Sequence, residues 1–395
     1  MKAKLARGFP IFLASLNMRA SFVLIGPLIP IIRKAFQLST IQISILPAVP
    51  LICYAGSSVI MGRVGKIGSS NKIITFALTV FSLASVARAF TGLWGLFLFS
   101  FVMGISVAVM NYEIPVWVKR HTPADAGFMT GVYVTVMGLA GSLSIAISVP
   151  LAQHSSLSWR AAMIPWMFVA LLSTLYWRIK MANEPAEEGS MAIAFWRTPT
   201  FRKPMAWALV FFFGFESMSF YATSTWFPTL LTTKGFTLGS AALAVSISAL
   251  IGSAISVAAP HYIGKVKDQR PILVSISVII ALSFLMMIFQ SGAILYLWLC
   301  ISNIGISVCF PLSLLLCGTK SLTAEGTRTM STMMQSIGYI CSAMGPIVMS
   351  FLFEVSKDWN VALLGVVGFS CIQVLMAWIV GKPSLIEERV DKVVP

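Results

Sequence analysis

Three charged residues, Arg19, Glu113 and Glu216, lie inside long apolar stretches of this chain. An arginine near the midplane of a bilayer costs at least ~3 kcal/mol unless it is paired or faces water. Its planar fork of donors suits a carboxylate or similar anion held through two hydrogen bonds. A carboxyl group in a dry cavity is a candidate proton carrier. The three residues therefore predict anion binding at Arg19, and proton transfer or binding of a substrate ammonium group at Glu216.

Each of these residues also has a structural interpretation that the sequence leaves open. Arg19 can pair with Glu113 or with helix carbonyls, and Glu216 can serve as a protonated hydrogen-bond donor. Glu113 lies four residues before the end of its apolar run, which favours a gate or a structural salt bridge. We keep Glu113 and Glu216 as the candidates for proton coupling or gating.

Uncharged polar residues add to the predicted substrate site. Gln335, Tyr339 and Ser342 follow the i, i+4, i+7 spacing that places side chains on one face of a helix. A buried tyrosine hydroxyl needs a hydrogen-bond partner, which a substrate or a neighbouring helix can supply. We predict substrate binding by Arg19 and Glu216 together with four polar residues: Asn111, Tyr221, Gln335 and Tyr339.

The composition shows what kind of fold must position these side chains. Of the 395 residues, 57% are hydrophobic and 10% are charged, and the mean hydropathy is +0.88. Soluble globular proteins carry roughly 25% charged residues, so this chain cannot cover a water-facing surface. A lipid bilayer is the solvent that fits. The net charge of +15 then reflects Lys and Arg kept in loops, and nucleic-acid binding is not expected.

Twelve apolar segments are long enough to cross a membrane, since a spanning helix needs ~20 apolar residues. A polar stretch at 183–190 separates two sets of six. We therefore predict an N-terminal six-helix bundle at 1–182, a cytoplasmic linker at 183–203 and a C-terminal bundle at 204–395. The predicted spans cover residues 9–32, 41–62, 73–90, 93–117, 127–151, 160–180, 204–231, 238–263, 271–290, 292–317, 329–353 and 360–381.

The distribution of Lys and Arg over the loops predicts the orientation. Alternate loops, counted from the N-terminus, hold 21 of the 28 basic residues, and the opposite loops hold 6. Cytoplasmic loops carry the excess of Lys and Arg, so both termini are predicted to be cytoplasmic. The charged start of the chain is similar to that of a signal peptide, but the long apolar run after it predicts a retained first span.

The two halves repeat one another. Gly104-Ile105-Ser106-Val107 recurs as Gly305-Ile306-Ser307-Val308, an offset of 201 residues. Lys119 and Lys320 show the same offset. Equivalent positions are six helices apart, so the halves share one membrane orientation and form a parallel repeat. Such repeats place a binding site between the halves and work by rocking one half against the other. This symmetry favours a secondary transporter, functional as a monomer.

Several motifs together resemble the major facilitator superfamily, and within it the cyanate/nitroimidazole permeases of bacteria. The resemblance implies an all-α integral membrane protein with 12 transmembrane helices in two parallel six-helix repeats, placed in the cytoplasmic (inner) membrane. It is carried by Leu16-Asn17-Met18-Arg19, Gly26-Pro27-Leu28-Ile29-Pro30, Asn111-Tyr112-Glu113-Ile114-Pro115, Gly127-Phe128-Met129-Thr130-Gly131, Gly214-Phe215-Glu216-Ser217, Trp226-Phe227-Pro228, Phe310-Pro311-Leu312, Gln335-Ser336-Ile337-Gly338-Tyr339 and Gly345-Pro346.

The chain departs from the pattern of that family at its two intramembrane acids. Glu216 stands where the family usually has glutamine, and Glu113 where it is usually apolar. The acid of the general superfamily motif is also missing from the loop at 65–70, which reads GKIGSS.

These observations predict a proton-coupled secondary transporter for a small polar organic solute with an anionic group, working by alternating access. Two alternatives stay open: proton-coupled efflux of a drug or metabolite, and a solute-sensing receptor of transporter ancestry. No enzyme activity, cofactor or metal is expected, because the three histidines have no partners at catalytic or metal-ligand spacing. The six cysteines are interpreted as small buried hydrophobes.

Overall fold

The computed structural model describes residues 2–56, 69–181, 195–256 and 258–386, and this part of the chain contains helices and no strand. The first half comprises α1 (Lys2–Val23), α2 (Ile25–Phe36), α3 (Thr40–Ala55), α4 (Ser70–Phe90), α5 (Leu93–His121), α6 (Ala126–Gln153) and α7 (Ile164–Lys180). The second half comprises α8 (Pro204–Thr233), α9 (Leu238–Ser256), α10 (Ala259–Ile263), α11 (Arg270–Phe289), α12 (Ile294–Thr319), α13 (Ala324–Ser356) and α14 (Trp359–Val380).

These helices agree with the predicted twelve-span fold. Among the described residues, ten segments are long and apolar enough to cross a membrane, and the bent pair α1–α2 forms an eleventh. The apolar helix α3 begins the second predicted span, whose remainder at 57–62 lies outside the described residues. Most of the predicted linker, at 183–194, also lies outside them, while 195–203 forms two short 3-10 helices.

The first predicted span, at 9–32, consists of two helices. It breaks at Leu24, where α1 and α2 meet at an angle of 44°. Pro27 lacks the N–H that would bond to the carbonyl of Val23, so the helical ladder is interrupted there. Close to the break, the Arg88 guanidinium, which is 1% exposed, donates to the Ser21 carbonyl at 2.8 Å. The eighth predicted span is likewise divided into α9 and α10.

Among the described residues, three helix pairs make the most extensive contacts between the two halves. α3 packs against α13, α6 against α9, and α2 against the outer part of α8. Between α6 and α9, the Ser246 hydroxyl donates to the Ser142 carbonyl at 2.6 Å. Small side chains along these helices allow their backbones to approach closely.

The halves meet tightly at one end of the bundle, which we call the closed end: Gly26, Thr40, Ser224 and Glu354. The Thr40 amide in the first turn of α3 donates to the Glu354 carboxylate at 3.0 Å, so the acid sits at a helix N-terminus of the other half. Gly26 lies directly against the Ser224 carbonyl, and a Cβ at this position would overlap that oxygen. Contact between the halves at this end therefore depends on Gly26.

We expect Gly26→Val to separate the closed end. In a background without native cysteines, a cysteine at Thr225, which is 3% exposed, should react with a membrane-impermeant maleimide several-fold faster in the Gly26→Val variant. The control is Gly368→Val, because a Cβ at Gly368 meets no atom within 4 Å. If the Thr225→Cys protein is labelled at the same rate with Gly26, with Gly26→Val and with Gly368→Val, Gly26 is not needed to keep the closed end shut.

Candidate functional site

A cavity of about 1180 Å³ lies between the two halves, at the end of the bundle opposite the closed end. Helices α3, α5 and α6 of the first half and α8, α12 and α13 of the second supply its walls. Its mouth carries Lys119, Arg120 and Arg328 beside one acid, Glu325. The Arg328 guanidinium donates to the Tyr112 hydroxyl of the other half at 3.2 Å. The cavity is thus shared by both halves and has a cationic entrance.

Four aromatic rings form one continuous array along the cavity wall, which we call the ring array: Tyr54, Tyr339, Phe213 and Phe310. The centroids of Tyr54 and Tyr339 are 5.1 Å apart with their planes at 71°. Tyr339 and Phe213 are 5.3 Å apart at 85°, and Phe213 and Phe310 are 5.9 Å apart. These separations match favourable edge-to-face and tilted aromatic pairs. Tyr54 belongs to the first half, so the array also crosses between the halves.

Arg19 lies at the inner end of the ring array. It lines a small void of about 20 Å³ that shares Tyr54 with the main cavity. The guanidinium carbon is 4.4 Å from the centroid of Phe220 and 5.8 Å from that of Phe310, both in the second half. Its aliphatic stem packs on Gly141, where a Cβ would come within 3.2 Å of it. Cation–π contact thus compensates part of the cost of a half-buried guanidinium.

Among the described residues, no carboxylate is bound to Arg19. Arg19 interacts with the Tyr221 hydroxyl and, electrostatically, with Glu216. Within the described ranges, the structure shows no ion pair between Arg19 and an acid. The sequence left open a pair between Arg19 and Glu113, but the cations that act on Glu113 are Arg120 and Arg328. The guanidinium can therefore accept an anion from outside the protein.

Glu216 occupies a different environment from the one the sequence suggested. It is 2% exposed and lines neither of the two voids. The Ser217 hydroxyl donates to its Oε2 at 2.9 Å. Cys309 of α12 is another electrostatic neighbour, and the Gln373 amide of α14 donates to that thiol at 3.5 Å. Glu216 thus lies inside the second half. Its side chain lines neither void, but its charge interacts electrostatically with Arg19.

Glu113 is fully buried on α5, away from the cavity surface. Neither of its carboxylate oxygens has a hydrogen-bond partner in the part of the chain that the structure describes. Asn111, two residues earlier, lines the cavity. Two residues correspond to a rotation of about 200° around a helix, which separates the two side chains. The Ser70 hydroxyl, Arg120 and Arg328 act on Glu113 electrostatically, but no hydrogen bond or ion pair to its carboxylate is present among the described residues, so we assign it no structural salt bridge.

The other predicted polar residues fall into two groups. Asn111, Gln335 and Tyr339 line the main cavity, and Tyr221 lines the small void beside Arg19. Sequence reasoning missed the aromatic and cationic lining, because an aromatic residue in an apolar span does not reveal whether it faces lipid, core or cavity. The missed lining residues are Tyr54, Tyr133, Phe213, Phe310, Thr332, Lys119, Arg120 and Arg328.

The cysteines are free among the described residues, but they do not share one environment. Cys53, Cys309 and Cys317 are buried, whereas Cys371 is exposed on α14. The expectation that all six are buried is therefore wrong for Cys371, because its helix turns that face away from the rest of the bundle. No group of three or more potential metal ligands occurs in the described segments.

A bundle of twelve apolar helices, divided into two halves around a cavity open at one end, defines a membrane transporter. The chain belongs to the Major Facilitator Superfamily, which its residues 11–346 match. The resemblance and the fold that the sequence predicted are thereby confirmed. Members of this superfamily are transporters and not enzymes.

Comparisons with individual proteins agree with this assignment. The chain is 26% identical over 372 residues to the 2-nitroimidazole transporter of Escherichia coli (strain K12), covering 94% of each chain. It is 24% identical to the cyanate transport protein CynX of the same organism, covering 92% of this chain and 95% of that one. Its fold matches a D-xylose–proton symporter with a TM-score of 0.74 at 14% identity, covering 96% and 98% of the two chains.

We expect Glu113→Gln to stabilise the protein. Replacing a buried, unpartnered carboxylate by an amide removes a desolvation cost, and the melting temperature should rise by about 2 °C in detergent at neutral pH. The matched control is Glu325→Gln, which changes an exposed acid at the mouth and should leave the melting temperature nearly unchanged. A lower melting temperature for Glu113→Gln would show that the carboxylate has a stabilising partner.

Proposed function

We propose that this protein is a secondary active transporter for a small polar organic solute with an anionic group, coupled to protons and working by alternating access. The observation that carries the proposal is Arg19, a cation in a small void that adjoins the shared cavity through Tyr54 and has no ion-paired acid among the described residues. An intramembrane arginine that faces a cavity and has no protein counter-ion suits a substrate anion.

The charge at the cavity mouth supports an anionic substrate. Lys119, Arg120 and Arg328 outnumber the single acid Glu325 there. A cleft lined by one sign of charge raises the local concentration of the opposite ion. An anion entering the cavity would therefore pass from the cationic mouth, along the ring array, to Arg19.

The names of similar proteins support a small polar solute without fixing which one. One relative is a 2-nitroimidazole transporter and another is a cyanate transport protein. A structural neighbour is a proton symporter, which supports proton coupling as part of this proposal. We propose import by symport, in a bacterial cytoplasmic membrane, with both termini cytoplasmic and the monomer as the functional unit. The cavity then opens toward the cytoplasm in this conformation.

Glu216 is our candidate for the coupling site. It lies inside the second half, yet it acts electrostatically on Arg19 and on Tyr221. A negative Glu216 weakens the attraction of Arg19 for a substrate anion, and a protonated one restores it. Proton binding at Glu216 and anion binding at Arg19 would thus support each other. Glu113 is proposed as a gating residue, because its electrostatic partners Arg120 and Arg328 belong to opposite halves.

We expect variants of Arg19 to show how much of the carboxylate affinity depends on its positive charge and how much on its planar guanidinium group. A thermal-shift screen of small carboxylates and the corresponding amides on the purified protein should yield carboxylate hits. Arg19→Ala should weaken these hits at least tenfold, since a charge-assisted hydrogen bond contributes about 1.5–3 kcal/mol. Arg19→Lys should retain part of the affinity, because it keeps the charge and loses the planar fork.

The control for this screen is Arg178→Ala, which removes an exposed cation near the C-terminal end of α7. Equal binding to wild type and Arg19→Ala would refute the anion site. A hit that binds but shows no counterflow in proteoliposomes would favour a solute-sensing receptor.

We expect Glu216→Gln to uncouple transport from protons. In proteoliposomes, an imposed pH gradient should drive accumulation of the screened carboxylate by the wild type and not by the variant, while counterflow without a gradient persists in both. Asp268→Asn is the control, since Asp268 is an exposed loop acid paired with Arg270 at 2.7 Å. If the Glu216→Gln variant still accumulates the carboxylate in response to the pH gradient, Glu216 is not the coupling site. If the wild type accumulates the carboxylate only when the pH gradient is reversed, the protein is an efflux transporter.

A further inference from the structure

We propose that the anionic group of the substrate is carried on a flat aromatic ring, so that the transported solutes are arene carboxylates or close analogues. This inference rests on the proposed function, because it takes Arg19 as the anion site. It adds the chemical class of the rest of the substrate, and it makes Phe310 the residue that determines specificity for it.

The lining of the cavity is unusually rich in aromatic rings. Six of its 22 lining residues are aromatic, against 12% of the whole chain. These rings are Tyr54, Tyr112, Tyr133, Phe213, Phe310 and Tyr339. A site for a small, strongly hydrated anion alone would need polar donors rather than this much aromatic surface. The lining instead suits a ligand that itself has a flat apolar face.

The ring array can accept one more ring. Its members already meet edge-to-face or tilted, at centroid distances of 5.1–5.9 Å. Phe213, Tyr54 and Tyr339 are 0%, 5% and 6% exposed, whereas Phe310 is only half-buried and offers the accessible ring surface of the array. An aromatic ligand can therefore extend the array in the same geometry, whereas a saturated ring of equal size lacks the quadrupole that this geometry favours.

Phe310 connects this apolar surface to the cation. It lines the main cavity, and its centroid lies 5.8 Å from the guanidinium carbon of Arg19. Phe220 covers Arg19 as well, at 4.4 Å. Because the guanidinium lies over both rings, we expect an anion to bind its N–H groups on the side that these rings leave open. A carboxylate bound in that way places an attached ring beside Phe310.

Polar side chains of the same cavity supply hydrogen-bonding groups for a ring substituent. Gln335 lies one helical turn from Tyr339 on α13, and Asn111 faces the cavity from α5. Neither side chain is needed to hold the carboxylate in this arrangement. They are suited to a hydroxyl, amino or nitro group on the far edge of the ring.

Three probes of similar size test the inference on the purified full-length protein: benzoate, cyclohexanecarboxylate and benzamide. We expect benzoate to bind about tenfold more tightly than cyclohexanecarboxylate in a competition or thermal-shift titration, and more tightly than benzamide. Equal binding of benzoate and cyclohexanecarboxylate would overturn the aromatic class and leave the anion site intact. Equal binding of benzoate and benzamide would overturn the anion site of the proposed function instead.

Variants of the ring array show which residues cause the preference for benzoate over cyclohexanecarboxylate. Phe310→Leu should bring the affinity for benzoate down to that for cyclohexanecarboxylate, while the latter changes little. Tyr339→Leu should act in the same direction, and Tyr339→Phe, which keeps the ring, should not. Phe289→Leu is the matched control, because this phenylalanine is 73% exposed at the end of α11. A benzoate preference that survives Phe310→Leu, or no binding of benzoate while aliphatic carboxylates bind, would refute the inference.

Discussion

The cost of holding a guanidinium inside a membrane-spanning bundle governs how this structure is arranged. Cation–π contacts with Phe220 and Phe310, an interaction with the Tyr221 hydroxyl and the contact of its stem with Gly141 compensate part of that cost for Arg19. Each ring contact reduces the penalty by an amount comparable to a weak ion pair. An acid would have satisfied the charge more fully and closed the site. Partial compensation leaves a cation that is stable in the fold and still able to bind an anion.

The same arrangement ties the site to the contact between the two halves. Arg19 belongs to the first half, whereas Phe220, Tyr221 and Phe310 belong to the second. At the closed end, Gly26 of α2 contacts the Ser224 carbonyl of α8, the helix that also carries Phe220, and α2 follows directly after α1, which carries Arg19. The bend at Leu24 directs α2 toward α8 and makes this approach possible. Closure at one end and cation–π contact at the centre are therefore parts of one interface between the halves.

The sequence predicted those features that depend on composition, spacing and charge. Twelve apolar runs and an internal repeat predict the fold, and Arg19 stands out because a lone intramembrane cation is expensive. Asn111, Gln335 and Tyr339, which the sequence predicts to bind substrate, line the cavity. The orientation of the Glu216 side chain could not be predicted. A small rotation of the helix decides whether a buried acid lines a cavity or packs against a neighbouring helix. Phe213 and Phe310 were missed as site residues for a related reason: a phenylalanine in an apolar span carries no signal of its orientation.

A ligand moves a two-state protein only through a difference in its affinity for the two states. In this structure the contacts that a substrate anion would alter are contacts between the halves, since Arg19 of one half is covered by rings of the other. An anion at the guanidinium edge neutralises the charge that these rings now compensate, and a ring beside Phe310 adds surface to the array that joins Tyr54 to Tyr339. Binding thus changes the free energy of the interface that must open and close during transport. The binding site and a closing contact are linked directly, because α8 carries both Phe220, which contacts Arg19, and Ser224, which contacts Gly26.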